Sequence, residues 1–419
     1  MDENNLVRAN RNDNSIKIMI AVIAVLVLMI VALCLYLFVF GKNTPSGEES
    51  SEPASTPASE LSGQVSEEPS HGEEIPSEEP SSEPEQISDI EDSVPETVSA
   101  DTVSEETSET ATEPEHGWVI NYLGYTYLYK GYGFEQFTFS NNIVSSYTSA
   151  VNKLGELGKG KKIYHVLVPT NCEFFTIPQS VKTEDDFYCA SQRKFMDTVS
   201  SKLDDSIKNV DPYSAIELHY DEKLYFNTDP NYTHLGAYYV YQEFCKAAGL
   251  TPVTLQTYPL YVLNEQFLGK FFNATRSERM IANADQFVYF NVDEVYSLSE
   301  KVYRGTGAVS RRGVIFADTG SYNYYTFLGE ECKRIDITGA GDESRTALVI
   351  GDSSASAFIT FLAPHYGKIT YINSGIHSDN ITDLLSGNDY GDIILIHYNT
   401  TAGRTLYKDI NRLTGTGNE

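Results

Sequence analysis

Positive charge is scarce in this sequence. Its 419 residues hold 30 lysines and arginines against 59 aspartates and glutamates, a formal net charge of −29. Nucleic-acid binding depends on cations that neutralise phosphates, so nucleic acid is not an expected partner. Cysteine is sparse as well: five residues, no two in CxxC spacing, which argues against a zinc site. There is no HExxH, no P-loop and no glycine-rich dinucleotide fingerprint between a strand and a helix, so no cofactor and no metal is expected. Residues 43 to about 116 lack every aromatic residue and every lysine and arginine.

That last absence divides the chain. The segment consists largely of Ser, Glu, Pro and Thr and carries 22 of the 59 acidic residues, so no apolar core can form in it. It reads as a disordered acidic stalk over 41–116. As an uncharged coil it would average roughly 45–50 Å end to end, and charge repulsion extends it further. Before it, Ile18 to Phe40 is an uncharged apolar run. At about 1.5 Å per residue the run spans roughly 35 Å, enough to cross a bilayer. It ends in bulky residues rather than the small-residue cleavage site of a signal peptide. Arg8, Arg11 and Lys17 precede it and only Lys42 follows before the acidic stretch. The positive-inside rule therefore predicts a cytoplasmic tail over 1–17, one transmembrane helix over 18–40, and an extracellular remainder. The expected localisation is a single-pass cell membrane protein.

Residues 117–419 have the apolar content of a globular domain. "GYTYLYKGYGFEQFTF" alternates around Lys130-Gly131 and predicts a hairpin. "NNIVSSYTSAVNKLGELG" has helical spacing and stops at glycine, and "KIYHVLVPT" reads as a strand buried on both faces. A polar helix is expected around Ser191 to Leu203. "RTALVIGDSSASAFITFLAPHYGKITYI" predicts strand, tight turn, helix, strand, and "DIILIHYN" one more strand. Strands alternating with helices imply an α/β fold with a mainly parallel sheet. Cys172, Cys189, Cys245 and Cys332 lie in this domain, and four cysteines in an oxidising compartment allow three pairings.

In such sheets reactive residues sit on loops at the carboxyl ends of strands. Two loops qualify: Gly351-Asp352-Ser353 after "ALVI", and the loop of Asp229 in "YFNTDPNYTHLGAYY". Ser353 at a strand-to-helix turn is either a nucleophile beside helix N–H groups or an ordinary helix cap. Asp229 followed by Pro230 predicts a helix start, with Asp229 the N-cap and Pro230 the first helical residue. Ala237, Val240, Tyr241, Phe244 and Ala248 then form an apolar stripe ended by Gly249.

"LYFNTDPNYTHLGAYYVYQEFCKAAGL" resembles the motif region of the exported DHHW proteins of Gram-positive bacteria, relatives of the SGNH hydrolases and of alginate O-acetyltransferase-like enzymes. In that family the region reads approximately Thr-Asp-His-His-Trp-Thr, two residues, then Gly-Ala-Tyr-Tyr. A later strand-turn-helix carries Asp-Ser and "LAPHY", matched here by "GDSSASAFITFLAPHYGKI". The resemblance implies a flavodoxin-like SGNH-hydrolase-type fold and ancestry among acyl esterases or O-acetyltransferases of envelope polysaccharide. Carried over, it makes Ser353 the nucleophile and Asp229 the triad acid. The family's catalytic histidine becomes Asn231, its other histidine becomes Pro230, and its tryptophan becomes Tyr232. Gly329 keeps the first glycine of a family Gly-Gly-Asn segment, while Glu330 and Glu331 replace the rest.

Asparagine cannot accept a proton, and a serine hydroxyl needs a base with a pKa near the working pH. The implied function is therefore a catalytically degenerate domain that binds or scaffolds in the envelope, with glycan, acylated glycan included, as the expected partner. The alternative is an active serine esterase or O-acetyltransferase using Ser353, Asp229 and a displaced histidine. His234 is the candidate, because residues three apart share a helix face if the helix already begins at Asp229. It equally extends the buried stripe. His365 and His397 read as structural histidines. Tyr125, Tyr127 and Tyr129 on one strand face could stack on sugar rings or pack on their own domain.

Overall fold

The computed structural model describes residues 115–121, 124–304, 307–317 and 323–415. The expected anchor and almost all of the expected stalk lie outside the described residues. Among the described helices none is long and apolar enough to cross a membrane.

The hairpin forms as its alternation predicts. Strands β1 (His116–Asn121), β2 (Gly124–Tyr129) and β3 (Tyr132–Phe134) make a small antiparallel sheet. Lys130 and Gly131 both take positive φ, the two-residue turn whose twist suits a hairpin. The tyrosine face is packed inward: Tyr127 and Tyr129 are buried, Tyr127 stacking on Phe187 at 4.1 Å, and only Tyr125 near the strand start is exposed.

The main sheet has eight strands. In chain order they are β4 (Lys162–Val168), β5 (Ile207–Val210), β8 (Ser299–Arg304), β9 (Gly307–Arg312), β10 (Arg334–Thr338), β11 (Asp342–Gly351), β12 (Tyr366–Asn373) and β13 (Asp392–Tyr398). A separate pair, β6 (Leu260–Phe267) with β7 (Asp285–Phe290), lies in the insertion between β5 and β8. The spatial order is β5-β4-β13-β11-β12-β10-β8-β9. The first five strands are parallel and the last three pairings antiparallel, so the sheet is mixed rather than mainly parallel. Only two residues separate β8 from β9, which leaves no room for the crossover that parallel pairing requires.

Counted from β11, the five parallel strands read 2-1-3-4-5, with β4 and β5 as the fourth and fifth. That is the flavodoxin-like order, entered by the chain at its fourth strand. The switch point of such a sheet lies between its first and third strands, here between the carboxyl ends of β11 and β13.

Side chains alternate between two cores, one on each face. Val349, Ile394 and Val166 face α3 (His234–Ala248) and α4 (Ser354–Leu362). Leu348, Ile350, Leu395 and Leu167 face α1 (Asn141–Leu157), α2 (Gln192–Ser200) and α5 (Leu406–Thr414). The result is a three-layer α/β/α domain, and both faces of the central strands are apolar because both are covered.

Helix α3 begins later than its sequence suggests. His234 is its first residue, and Thr233 is the N-cap, its side chain accepting from the Gly236 N–H. Asp229 and Pro230 remain in the preceding loop. The carboxylate that sequence reading assigns to capping is engaged elsewhere, as shown below. Gly249 ends the helix at φ 69°, as expected.

Of the described cysteines, Cys172 and Cys189 form a disulfide, while Cys245 and Cys332 are free and buried.

Candidate active site

Strand β11 ends at Gly351, and the chain turns into α4 through Asp352 and Ser353. Ser353 stands at the N-cap position of this helix, but the capping side chain is that of Asp352. Asp352 Oδ1 accepts from the Ser354 N–H (2.9 Å) and from the Ser354 hydroxyl (2.6 Å). Its other oxygen accepts from the Tyr398 N–H (3.1 Å) and the Thr401 hydroxyl (2.6 Å), which lie at and after the end of β13. One carboxylate thus joins the two strand ends at the switch point. Ser353 makes no capping bond, and its hydroxyl is released for another partner.

That partner is Asn231. The Ser353 hydroxyl donates to Asn231 Oδ1 at 2.8 Å. Asn231 in turn donates to Asp229 Oδ1 from both Nδ2 (2.7 Å) and its backbone N–H (3.0 Å). Asp229 Oδ2 accepts from the Lys270 N–H at 2.9 Å. Serine, amide and carboxylate form one chain of hydrogen bonds, in the order in which a triad would place serine, imidazole and acid. Because Nδ2 is committed to Asp229, Oδ1 must face Ser353.

The loop holding Asp229 is fastened from the β7 side. Asp285 accepts from the N–H groups of Asn227 (2.8 Å) and Thr228 (3.0 Å) and from the Thr228 hydroxyl (2.7 Å). Burial raises its pKa to about 6 despite these donors. Gly269 lies so close that any Cβ there would collide with the Asp229 side chain.

Two residues singled out in the sequence lie apart from this chain. His234 is fully buried: Nε2 bonds Thr360 Oγ1 (2.8 Å), and Nδ1 accepts from the Phe290 N–H (3.0 Å). Its ring packs against Phe361 and Phe327, and burial lowers its pKa well below the ordinary histidine value. With both nitrogens engaged away from Ser353, it is a core residue and not a displaced base. The later start of α3 is the reason, since Asn231 and His234 share no helix face. Gly329 takes φ 70°, and the Arg311 guanidinium occupies the place a Cβ would need, so backbone geometry and packing require glycine there.

His365 bonds Tyr241 Oη (2.6 Å), and His397 bonds the Ser374 hydroxyl (2.9 Å) at the ends of β12 and β13. Both read as structural histidines that knit elements together.

Ser353 and Asn231 open into a cleft of about 360 Å³. Its walls include Glu135, Lys270, Glu331, Thr400 and Arg404. Glu135 keeps 31% of its side chain exposed, faces Arg404 at 3.7 Å, and accepts from the Thr400 hydroxyl at 3.4 Å. Desolvation raises its pKa against the pull of Arg404 and Thr400. Glu330 turns toward Arg304 (2.9 Å) and Arg311 (3.6 Å), whereas Glu331 accepts from the Asn373 amide at 3.4 Å. Among the described residues no cluster of His, Cys, Asp or Glu could hold a metal ion. Sequence reading missed Glu135, Lys270 and Asp285. None lies in a recognisable motif, and only the folded chain brings them to the site.

A family model described as DHHW protein matches residues 75–372. A comparison with curated proteins found no match. Among solved structures, the chain is similar to a DHHW family protein from Eubacterium siraeum, with TM-score 0.59, 22% identity, and 70% of this chain and 98% of that one covered. It is also similar to Bacillus cereus PatB1, with TM-score 0.56, 17% identity, and 70% and 99% covered. A second structure of PatB1 carries a sulfonyl adduct and matches with TM-score 0.54, 16% identity, and 66% and 94% covered.

Proposed function

The chain belongs to the DHHW protein family, and we propose that it is a member that binds envelope glycan in the Ser353 cleft without turning over an acyl group. The observation that carries this reading is the amide at position 231. Ser353 donates to Asn231 Oδ1, an oxygen that cannot take the proton away. Loss of the base from a serine triad removes roughly four to six orders of magnitude of rate, leaving residual binding and electrostatic effects. Two carboxylates on the cleft, Glu135 and Glu331, would further oppose the negative charge that develops during acyl transfer. The apolar run 18–40 and the acidic segment after it would anchor this domain to a membrane and hold it away from the surface.

The test is active-site labelling of the full chain with a fluorophosphonate, together with hydrolysis of an acetyl ester. The wild type should be silent, and Asn231→His should gain labelling that Ser353→Ala abolishes. Labelling or turnover in the wild type that depends on Ser353 would overturn the reading in favour of an active serine esterase or O-acetyltransferase.

A further inference from the structure

A degenerate triad is also a hydrogen-bonding surface, and its polarity is fixed. Asn231 Nδ2 is held by Asp229, so Oδ1 faces Ser353 and takes that residue's only hydroxyl proton. What Ser353 presents to the cleft is therefore a pair of acceptor lone pairs. Glu135 and Glu331 add carboxylate oxygens, each with capacity beyond the side-chain partners described above. Two donors beside Ser353 are turned toward protein acceptors. The Ser354 N–H is bound to Asp352, and the Asn373 amide points to Glu331.

We infer that the cleft selects a neutral, unesterified polyol ligand, and that it rejects the same ligand when the hydroxyl facing Ser353 is acylated. This rests on the binding reading above. A free hydroxyl both donates and accepts, so its one proton satisfies either Ser353 or a carboxylate while its oxygen still accepts from Arg404. An ester only accepts, so its arrival leaves the group that faced that proton, Ser353 or the neighbouring carboxylate, without a donor. The cleft cations do not offset this, because a hydroxyl oxygen accepts from them as well as a carbonyl does. Charge narrows the ligand further. Glu135, Glu331, Asp352 and Asp409 face the cleft with Lys270 and Arg404 as its cations, which disfavours uronates and phosphate-bearing polymers. A site built around a substrate hydroxyl discriminates strongly against an analogue lacking its proton, and the expected ratio is on the order of tenfold to a hundredfold.

The experiment uses the full chain in detergent micelles and one preparation of O-acetylated cell-wall glycan. Half of the preparation is treated with mild base to remove O-linked esters. Co-sedimentation across a protein titration gives an apparent Kd for each form. The expected result is at least about tenfold tighter binding to the base-treated glycan, with the ratio narrowing in Glu135→Gln, whose amide supplies a donor. Equal binding to both forms, or tighter binding to the ester, overturns the inference while leaving glycan binding intact. Binding to neither form overturns both. The wild-type comparison needs no variant to fold.

Discussion

Asn231 and Glu300 show how differently a single side chain discloses itself. Asn231 was legible because the motif it resembles fixed its register: two residues after Asp229, it fell where a base belongs, and the fold puts its Oδ1 on Ser353. The capping role of Asp352 was not legible, because glycine, aspartate and serine all favour such turns and only the bonds separate their roles. Glu300 on β8 was likewise invisible. Its side chain has no exposed surface and touches the Arg311 guanidinium, yet desolvation outweighs that partner and lifts its pKa from 4.5 to about 8. The sign follows from the direction of the shift. The folded state holds this proton more tightly than the unfolded state, so the contribution is fully present below 4.5 and is lost as pH rises through about 8. Thermal melts between those pH values should show a falling Tm in the wild type and a flatter profile in Glu300→Gln. Identical slopes in the two proteins would refute the assignment.

At the scale of elements, apolar runs were informative and boundaries were not. β4, β11 and β13 are buried on both faces, and uninterrupted β-branched and aliphatic residues announce such strands. The start of α3 was misread because Asp-Pro and Thr-His offer two start signals four residues apart, and a tertiary demand decided between them: Asp229 is taken up by Asn231 and Lys270. The disulfide pairing was open for a similar reason, since spacing alone does not say which loops meet. Cys172 and Cys189 close a loop with a sequence separation of 17, and it lies within the segment between β4 and α2. Closing a loop of that size restricts the unfolded chain and is worth about 3 kcal/mol. Cys172→Ser with Cys189→Ser should therefore lower unfolding free energy by about 2–4 kcal/mol, read by urea denaturation. Dithiothreitol should reproduce the loss in the wild type and do nothing further to the double variant.

For the whole molecule, what could not be read was the order of strands, because a list of strands carries no adjacency. Strand β13 comes last in the chain yet lies between β4 and β11, in the middle of the sheet. It also lies beyond residue 372, where the family match ends. Helix α5 then closes the α1 face of the sheet, burying Leu406, Ile410 and Leu413. Arg412 on the same helix donates to the Ser374 carbonyl (2.7 Å) and contacts the His377 carbonyl, holding the segment that follows β12 at the edge of the cleft. The C-terminal segment is thus part of the same cooperative unit as the site, since both cores press on one sheet. Leu413→Ala should cost about 2–4 kcal/mol, as large-to-small changes in packed cores do. The loss should appear as one urea transition shifted equally in far-UV circular dichroism and tyrosine fluorescence. If α5 were an independent appendage, the helical signal would melt early while the tyrosine transition stayed in place. That outcome would refute the account of a domain whose last strand and last helix complete its centre.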